Sequence, residues 1–300
     1  MNADHNALDV LPDFVGGLIH LETLSVAHNR LRAVPESIGN CQRLTTVILA
    51  SNDLTTLPAG LGQLGSLTEL ELGHNRLEGL PESLANLSLL VRLDCRENKL
   101  SLPPTIPRSA RLAELLLGFN RLSALPSGLG LGAAPALSVL DVRDNGICEL
   151  EMAALLRLRH LKTLDLRNNS VGKLPPLLGT MTCITSLLLE GNPLKTMRRA
   201  LVVAPAREIL EYLRGRMTED DRAVSAAAAS DGVGSGCDTG TGDSGRDEVM
   251  AAVRGAMSLD ASLVMRQMHL VRSPSLWFVL RAPRPSLAAS CPHCANPSTN

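Results

Sequence analysis

Asparagine returns along this chain at Asn6, Asn29, Asn52, Asn75, Asn98, Asn120, Asn145, Asn169 and Asn192, at intervals of 22 to 25 residues. Leucines keep step with it: LETLSVAHNRL, LTELELGHNRL and LAELLLGFNRL all read close to L-x-x-L-x-L-x-x-N-x-L. A unit this short cannot bury its own apolar face. Copies must stack so that each covers the last, which restricts the chain to a solenoid.

Within a unit the L-x-L core alternates with period two, as in Leu24 and Val26 or Leu70 and Leu72. That spacing predicts a short strand with these side chains inward, and stacked copies would form a parallel sheet on the concave side. The second half of most units reads x-x-L-P-x-x-L, as at residues 55–61. Proline there fixes φ and can open a helical turn without losing a needed donor. A unit that also holds a strand and two bends has no room for a full α-helix. The fold class is therefore an α/β leucine-rich-repeat solenoid: a curved horseshoe with a parallel concave sheet and short helical or 3₁₀ convex segments.

The Asn is polar yet points inward. Its amide carries donors and an acceptor, and at the bend after the strand it is expected to bond backbone groups of its own turn and the adjacent one. Stacking then gives a ladder that satisfies an otherwise costly buried amide. Two units break the period. After Asn98 the chain is one residue short through Leu102-Pro103-Pro104, and a Gly/Ala-rich insertion occupies 128–135. Both are expected to be absorbed outside the strands.

The candidate binding face consists of the strand residues between and beside the leucines. The first repeats offer small, lightly polar residues there. The middle and late repeats carry Glu71, Asp94, Glu97, Asp141, Asp144 and Asp165 interleaved with Arg92, Arg96, Arg143 and Arg167. Leu116 and Phe119 stand among them, both expected to face outward. An exposed aromatic flanked by Arg and Asp has the composition of a protein-interface anchor. The residues expected to bind a protein are Glu71, Asp94, Arg96, Leu116, Phe119, Asp141, Arg143, Asp165 and Arg167.

Composition excludes other classes. With 29 basic and 30 acidic residues the net charge is −1, which gives no electrostatic basis for nucleic acid as the main partner. No run approaches the roughly 18 apolar residues of a membrane span. The seven cysteines are scattered rather than clustered as terminal disulfides, which points to a reducing compartment: cytoplasm by default, with the nucleus also open. Asp141 and Asp144 form an acidic pair on an open surface beside arginines, poor conditions for general acid–base work. His28 and His74 share a column two repeats apart, too far for one metal ion, and Cys291-Pro292-His293-Cys294 lacks a second pair. No enzyme activity, cofactor or metal is expected.

The repeat grammar ends at Asn192-Pro193-Leu194. The expected organisation is repeats over 1–194, a C-terminal capping helix within 195–217, a flexible Ala/Ser/Gly/Asp-rich linker over 218–246, and a partly helical or disordered tail over 247–300. Leu201, Ile209, Leu210 and Leu213 recur at helical spacing, and Pro205 separates a short turn from the helix.

The repeats L-x-x-L-x-L-x-x-N-x-L-x-x-L-P-x-x-[LI] resemble the intracellular, Ras-suppressor-like leucine-rich-repeat family. Residues 184–217 are more specifically similar to the end of the first array in a two-array member. Gly191, Asn192, Pro193, Leu194, Lys195, Met197, Arg198, Arg199, Tyr212, Leu213, Arg214 and Arg216 carry that likeness. The resemblance implies a protein-binding scaffold in signal transduction, with a small GTPase or a phosphatase as partner. The alternative is a substrate-targeting or regulatory subunit of a ubiquitin ligase or phosphatase complex.

Overall fold

The computed structural model describes residues 1–103, 105, 107–126, 129 and 134–230. The chain divides into two compact units, Met1–Gly234 and Ser235–Asn300. The second unit lies outside the described residues, as do the expected tail, the end of the expected linker and Cys291/Cys294.

The first unit is a curved solenoid whose strands form one parallel sheet in sequence order: β1 Thr23–Ser25, β2 Thr46–Ile48, β3 Glu69–Glu71, β4 Arg92–Asp94, β5 Glu114–Leu116, β6 Val139–Asp141, β7 Thr163–Asp165 and β8 Ser186–Leu188. Register follows the leucine grammar, so Leu24, Val47, Leu70, Leu93, Leu115, Leu140, Leu164 and Leu187 make one buried column. Cys41 and Cys95 occupy apolar columns as fully buried thiols. Burial pushes the Cys95 thiol far up, so it stays protonated as a small hydrophobe.

The Asn ladder runs from end to end. The Asn75 amide donates to Leu72 O and Gly73 O of its own turn, at 3.0 and 3.3 Å, and to Leu49 O of the preceding repeat at 3.0 Å. Its Oδ1 accepts from Leu54 N at 3.1 Å. Asn6 makes only the bonds of its own turn, to Ala3 O and Asp4 O. The segment before it extends the sheet: Ala3 N donates to Ser25 O, and Asp4 Oδ1 accepts from the Ser25 hydroxyl at 2.6 Å and Ala27 N at 2.7 Å. The Ser25 bond, foremost, holds the Asp4 carboxyl below its usual range.

On the convex side Asp13–Gly17, Glu36–Asn40, Ala59–Gln63, Glu82–Asn86 and Pro176–Thr180 are 3₁₀ turns, each following an extended proline. They pack with little space between them. A Cβ on Gly39 would lie 2.7 Å from Gly60 O, so neighbouring turns need glycine there. The unit after Asn145 instead carries α1, Met152–Leu155.

Both irregular units leave the strand register untouched: Arg92 pairs with Glu114, and Glu114 with Val139. In the short unit Ser109 takes the apolar column position of Leu64 and Leu87, fully buried. Its hydroxyl reaches Ser88 O at 3.0 Å and Leu90 O at 2.7 Å of the preceding repeat. A hydrogen-bonded plug stands where leucine would otherwise pack.

After the last strand come α2, Arg199–Val202, and α3, Ala206–Arg214, on either side of Pro205. α3 buries Ile209, Leu210 and Leu213 at the end of the array, and the Arg214 guanidinium donates to Gly179 O at 2.9 Å. Residues 219–230 depart from the linker expectation, since Glu219–Ser230 is a helix, α4. The reason is local. Thr218 and Asp221 bond reciprocally, Thr218 N to Asp221 Oδ2 and Asp221 N to Thr218 Oγ, and Glu219, Asp220 and Asp221 fill the first turn. This caps an alanine-rich stretch of high helix propensity.

Candidate functional site: the concave face

Sequence positions expected to be exposed on the concave strands divide into two sets. Asp94, Leu116, Asp141 and Asp165 are buried, at 5, 8, 8 and 5% exposure, which corrects the expectation that they project freely. In-register strands about 4.8 Å apart leave little room between like positions, and the arginines two residues on fold back over the aspartates. Phe119 is exposed, at 42%, and Glu71, Arg96, Arg143 and Arg167 are part-buried.

The fold-back is a recurring Asp-x-Arg device. Arg96 donates to both Asp94 oxygens, its Nη2 at 2.6 Å, and its backbone N–H reaches Asp94 Oδ1 at 3.1 Å. Arg167 and Asp165 repeat this arrangement. Each aspartate raises the affinity of its arginine for the proton, so both guanidinia are fixed, permanent charges. The third copy is looser: Asp141 accepts from Arg143 N at 3.1 Å, but the guanidinium Nε stands 3.5 Å away. Burial pushes the Asp141 carboxyl up, with the Arg143 amide and guanidinium opposing.

Arg143 instead lies over Phe119, its guanidinium carbon 5.1 Å from the ring centroid. Gly118 makes the approach possible, because a Cβ there would meet Arg143 Cγ and Asp141 Oδ1 at 3.1 Å. Phe119 also holds φ at +56°. The whole column before the Asn does the same: His5, His28, Ser51, His74, Glu97, Asp144, Asn168 and Gly191 have φ between 51° and 75°. Sequence reading missed this left-handed column. Its signal was Gly191, Asn168 and Asp144 sharing one position, the residue types that tolerate that conformation best.

The most crowded charge lies on β3–β5. Arg92 sits 3.2 Å from Glu114, 3.7 Å from Glu69 and Glu71, and 3.8 Å from Asp94. Burial pushes the Glu71 carboxyl up, Arg92 opposes, and Glu69 and Asp94 add to the shift. Glu69, Glu114 and Arg92 were not among the expected binding residues. Nor was the stacked pair His5 and His28, ring centroids 4.3 Å apart. Asp144 accepts from Asn168 Nδ2 at 2.9 Å, and Asp141 accepts from the Arg143 amide. Among the described residues no group of three or more His, Cys, Asp or Glu could hold a metal ion, and no helix is long and apolar enough to cross a membrane.

The stacked array presents one parallel sheet face carrying Arg, Asp and Glu side chains in adjacent rows. Leucine rich repeat family models match residues 42–100, 110–170 and 135–194, and a further one matches 20–41, so the chain belongs to the leucine-rich-repeat family. Solved structures agree. An LRR protein of Leptospira interrogans is 28% identical with a TM-score of 0.51, over 64% of this chain and 54% of its own. The PEPR1–AtPEP1 structure is 32% identical with a TM-score of 0.52, over 59% and 26%. YopM, a leucine-rich effector protein from Yersinia pestis, is 27% identical with a TM-score of 0.52, over 64% and 48%. The chain thus spans about half, or less, of the length of these relatives.

Proposed function

We propose that this chain is an intracellular protein-binding scaffold in signal transduction that grips its partner with the concave strands β3–β7. The observation that carries this reading is the preorganised ladder Asp94–Arg96, Asp141–Arg143 and Asp165–Arg167 beside exposed Phe119. The Arg96 and Arg167 guanidinia, already fixed by their own aspartates, lose little freedom on binding, and an aromatic at the centre supplies apolar area. The PEPR1–AtPEP1 pairing supports the reading at the level of the family. Free thiols at Cys41, Cys95, Cys148 and Cys183 support a reducing compartment. The finer likeness is to the first array of leucine-rich repeat-containing protein 40, and the partner classes implied by the intracellular family are a small GTPase or a phosphatase. In this reading 1–194 is the binding array and 195–217 its cap.

Proximity labelling with the full chain tests it. F119A/R143A should remove the principal labelled proteins, while the convex-side change S37A should retain them. An unchanged set in the concave variant would move binding off this face.

A further inference from the structure

The carboxylates of the concave face are not equivalent. Asp94 and Asp165 are closed by bidentate arginines, and Asp141 is bonded by the Arg143 amide. Glu69 and Glu71 differ: each is 3.7 Å from Arg92, beyond hydrogen-bond reach, and no other donor among the described residues reaches either carboxylate. Only Glu114 takes a hydrogen bond from Arg92, at 3.2 Å. One guanidinium therefore stands among Glu69, Glu71, Asp94 and Glu114, with Arg96 already committed to Asp94. Negative charge is in excess here, and open acceptor oxygens go with it.

Half-buried Ile48 flanks this centre on the β2 side. The register places Ile48, Glu71, Asp94 and Leu116 in one row across β2–β5. Neighbouring strands are about 4.8 Å apart, so a long side chain entering over β3 has an aliphatic wall on one side and carboxylates in front of it. Lysine and arginine combine an apolar stem with a cationic head and suit both. An acidic side chain would meet like charge, and a purely apolar one would leave Glu69 and Glu71 desolvated without a donor.

We propose that β2–β5 form the recognition centre for an extended, lysine- or arginine-bearing segment of a partner protein, its cationic heads taken by Glu69 and Glu71 and its stems lying along Ile48. This rests on the concave-face reading above and names the chemistry of its partner.

Fluorescence anisotropy of the full chain tests it with labelled decapeptides of alternating lysine and threonine, or glutamate and threonine. The lysine peptide should bind, weaken as salt is raised, and lose at least tenfold in affinity to E69Q/E71Q while changing less than twofold with E82Q on a convex turn. Preference for the glutamate peptide, no binding of either, or equal affinity of E69Q/E71Q and the parent would overturn the proposal. E69Q and E71Q singly, each with an unchanged melting curve, guard against a folding defect. In the proximity-labelling experiment, partners lost in F119A/R143A but kept in E69Q/E71Q would sink the cationic-segment inference alone. Partners kept in both would sink the concave-face reading itself.

Discussion

Single residues here act either in the ladder or on the face, and the two kinds should separate cleanly. Asn75 has four backbone partners across two repeats. N75L leaves them unpaired and should cost about 1–3 kcal/mol, read from urea midpoints, whereas N6L, at an exposed end rung, should cost less than half as much. On the face, Leu117 is fully buried and Phe119 is not. L117A should cost roughly 2–5 kcal/mol, and F119A no more than about 1 kcal/mol, the worth of an exposed cation–π contact. Equal losses would put Phe119 in the core. Amidation of Asp141 and of Asp94 should act in opposite directions. Asp141 has a raised pKa, so the wild-type fold loses stability as pH rises from the ordinary carboxylate range through that raised value. D141N escapes this loss. It should match or exceed wild type in melting temperature at neutral pH, with the gap closing on acidification. D94N, which weakens a part-buried, hydrogen-bonded pair, should be destabilised by about 1–3 kcal/mol.

At the level of elements, packing distances decide what a glycine is for. A Cβ on Gly179 would lie 2.6 Å from Arg214 N and 2.7 Å from Leu210 O, whereas one on Gly172 would meet nothing within 4 Å. G179A should therefore lift α3 from the last turn and cost about 1–3 kcal/mol. G172A should be neutral or stabilising by up to about 1 kcal/mol, through the unfolded chain. Indistinguishable thermal melts for the two would mean that the cap is not seated on Gly179. The strands, the proline-led turns and the helix after Pro205 were legible because each has its own periodicity or start signal. α4 was obscured because an alanine and serine run reads as linker by composition, while its start lies in Thr218 and Asp221. The site was legible as a region and less so residue by residue. Spacing places Asp94, Leu116 and Asp165 on the outer side of a strand, but only the cross-strand neighbours show that they are covered. Glu69 and Glu114 entered the site through contact with Arg92, which no single repeat discloses.

Over the whole array each repeat touches only its neighbours, so cooperativity is only as strong as the weakest interface. That interface lies around the short unit after Asn98. Leu102 is 75% exposed, no 3₁₀ turn occurs among the described residues of 99–111, and Ser109 replaces a packed leucine with a hydroxyl. What crosses the gap is the sheet register from Arg92 to Glu114, the Asn120 ladder bonds from Leu100 N and to Cys95 O, the Ser109 hydroxyl bonds and the bond from Arg108 N to Ala85 O at 3.1 Å. These hydrogen bonds join a first block, whose convex turns pack closely, to the repeats that follow. Native-state hydrogen exchange in rising urea should therefore show two cooperative units, with the amides of Leu70 and Leu93 protected together and those of Leu140 and Leu164 at a different free energy. S109A should widen the separation, because it leaves Ser88 O and Leu90 O without that donor. A single isotherm for all four amides, unmoved in S109A, would show that the sheet and the asparagine ladder couple the repeats without convex packing. The concave face would then behave as one rigid surface along its length.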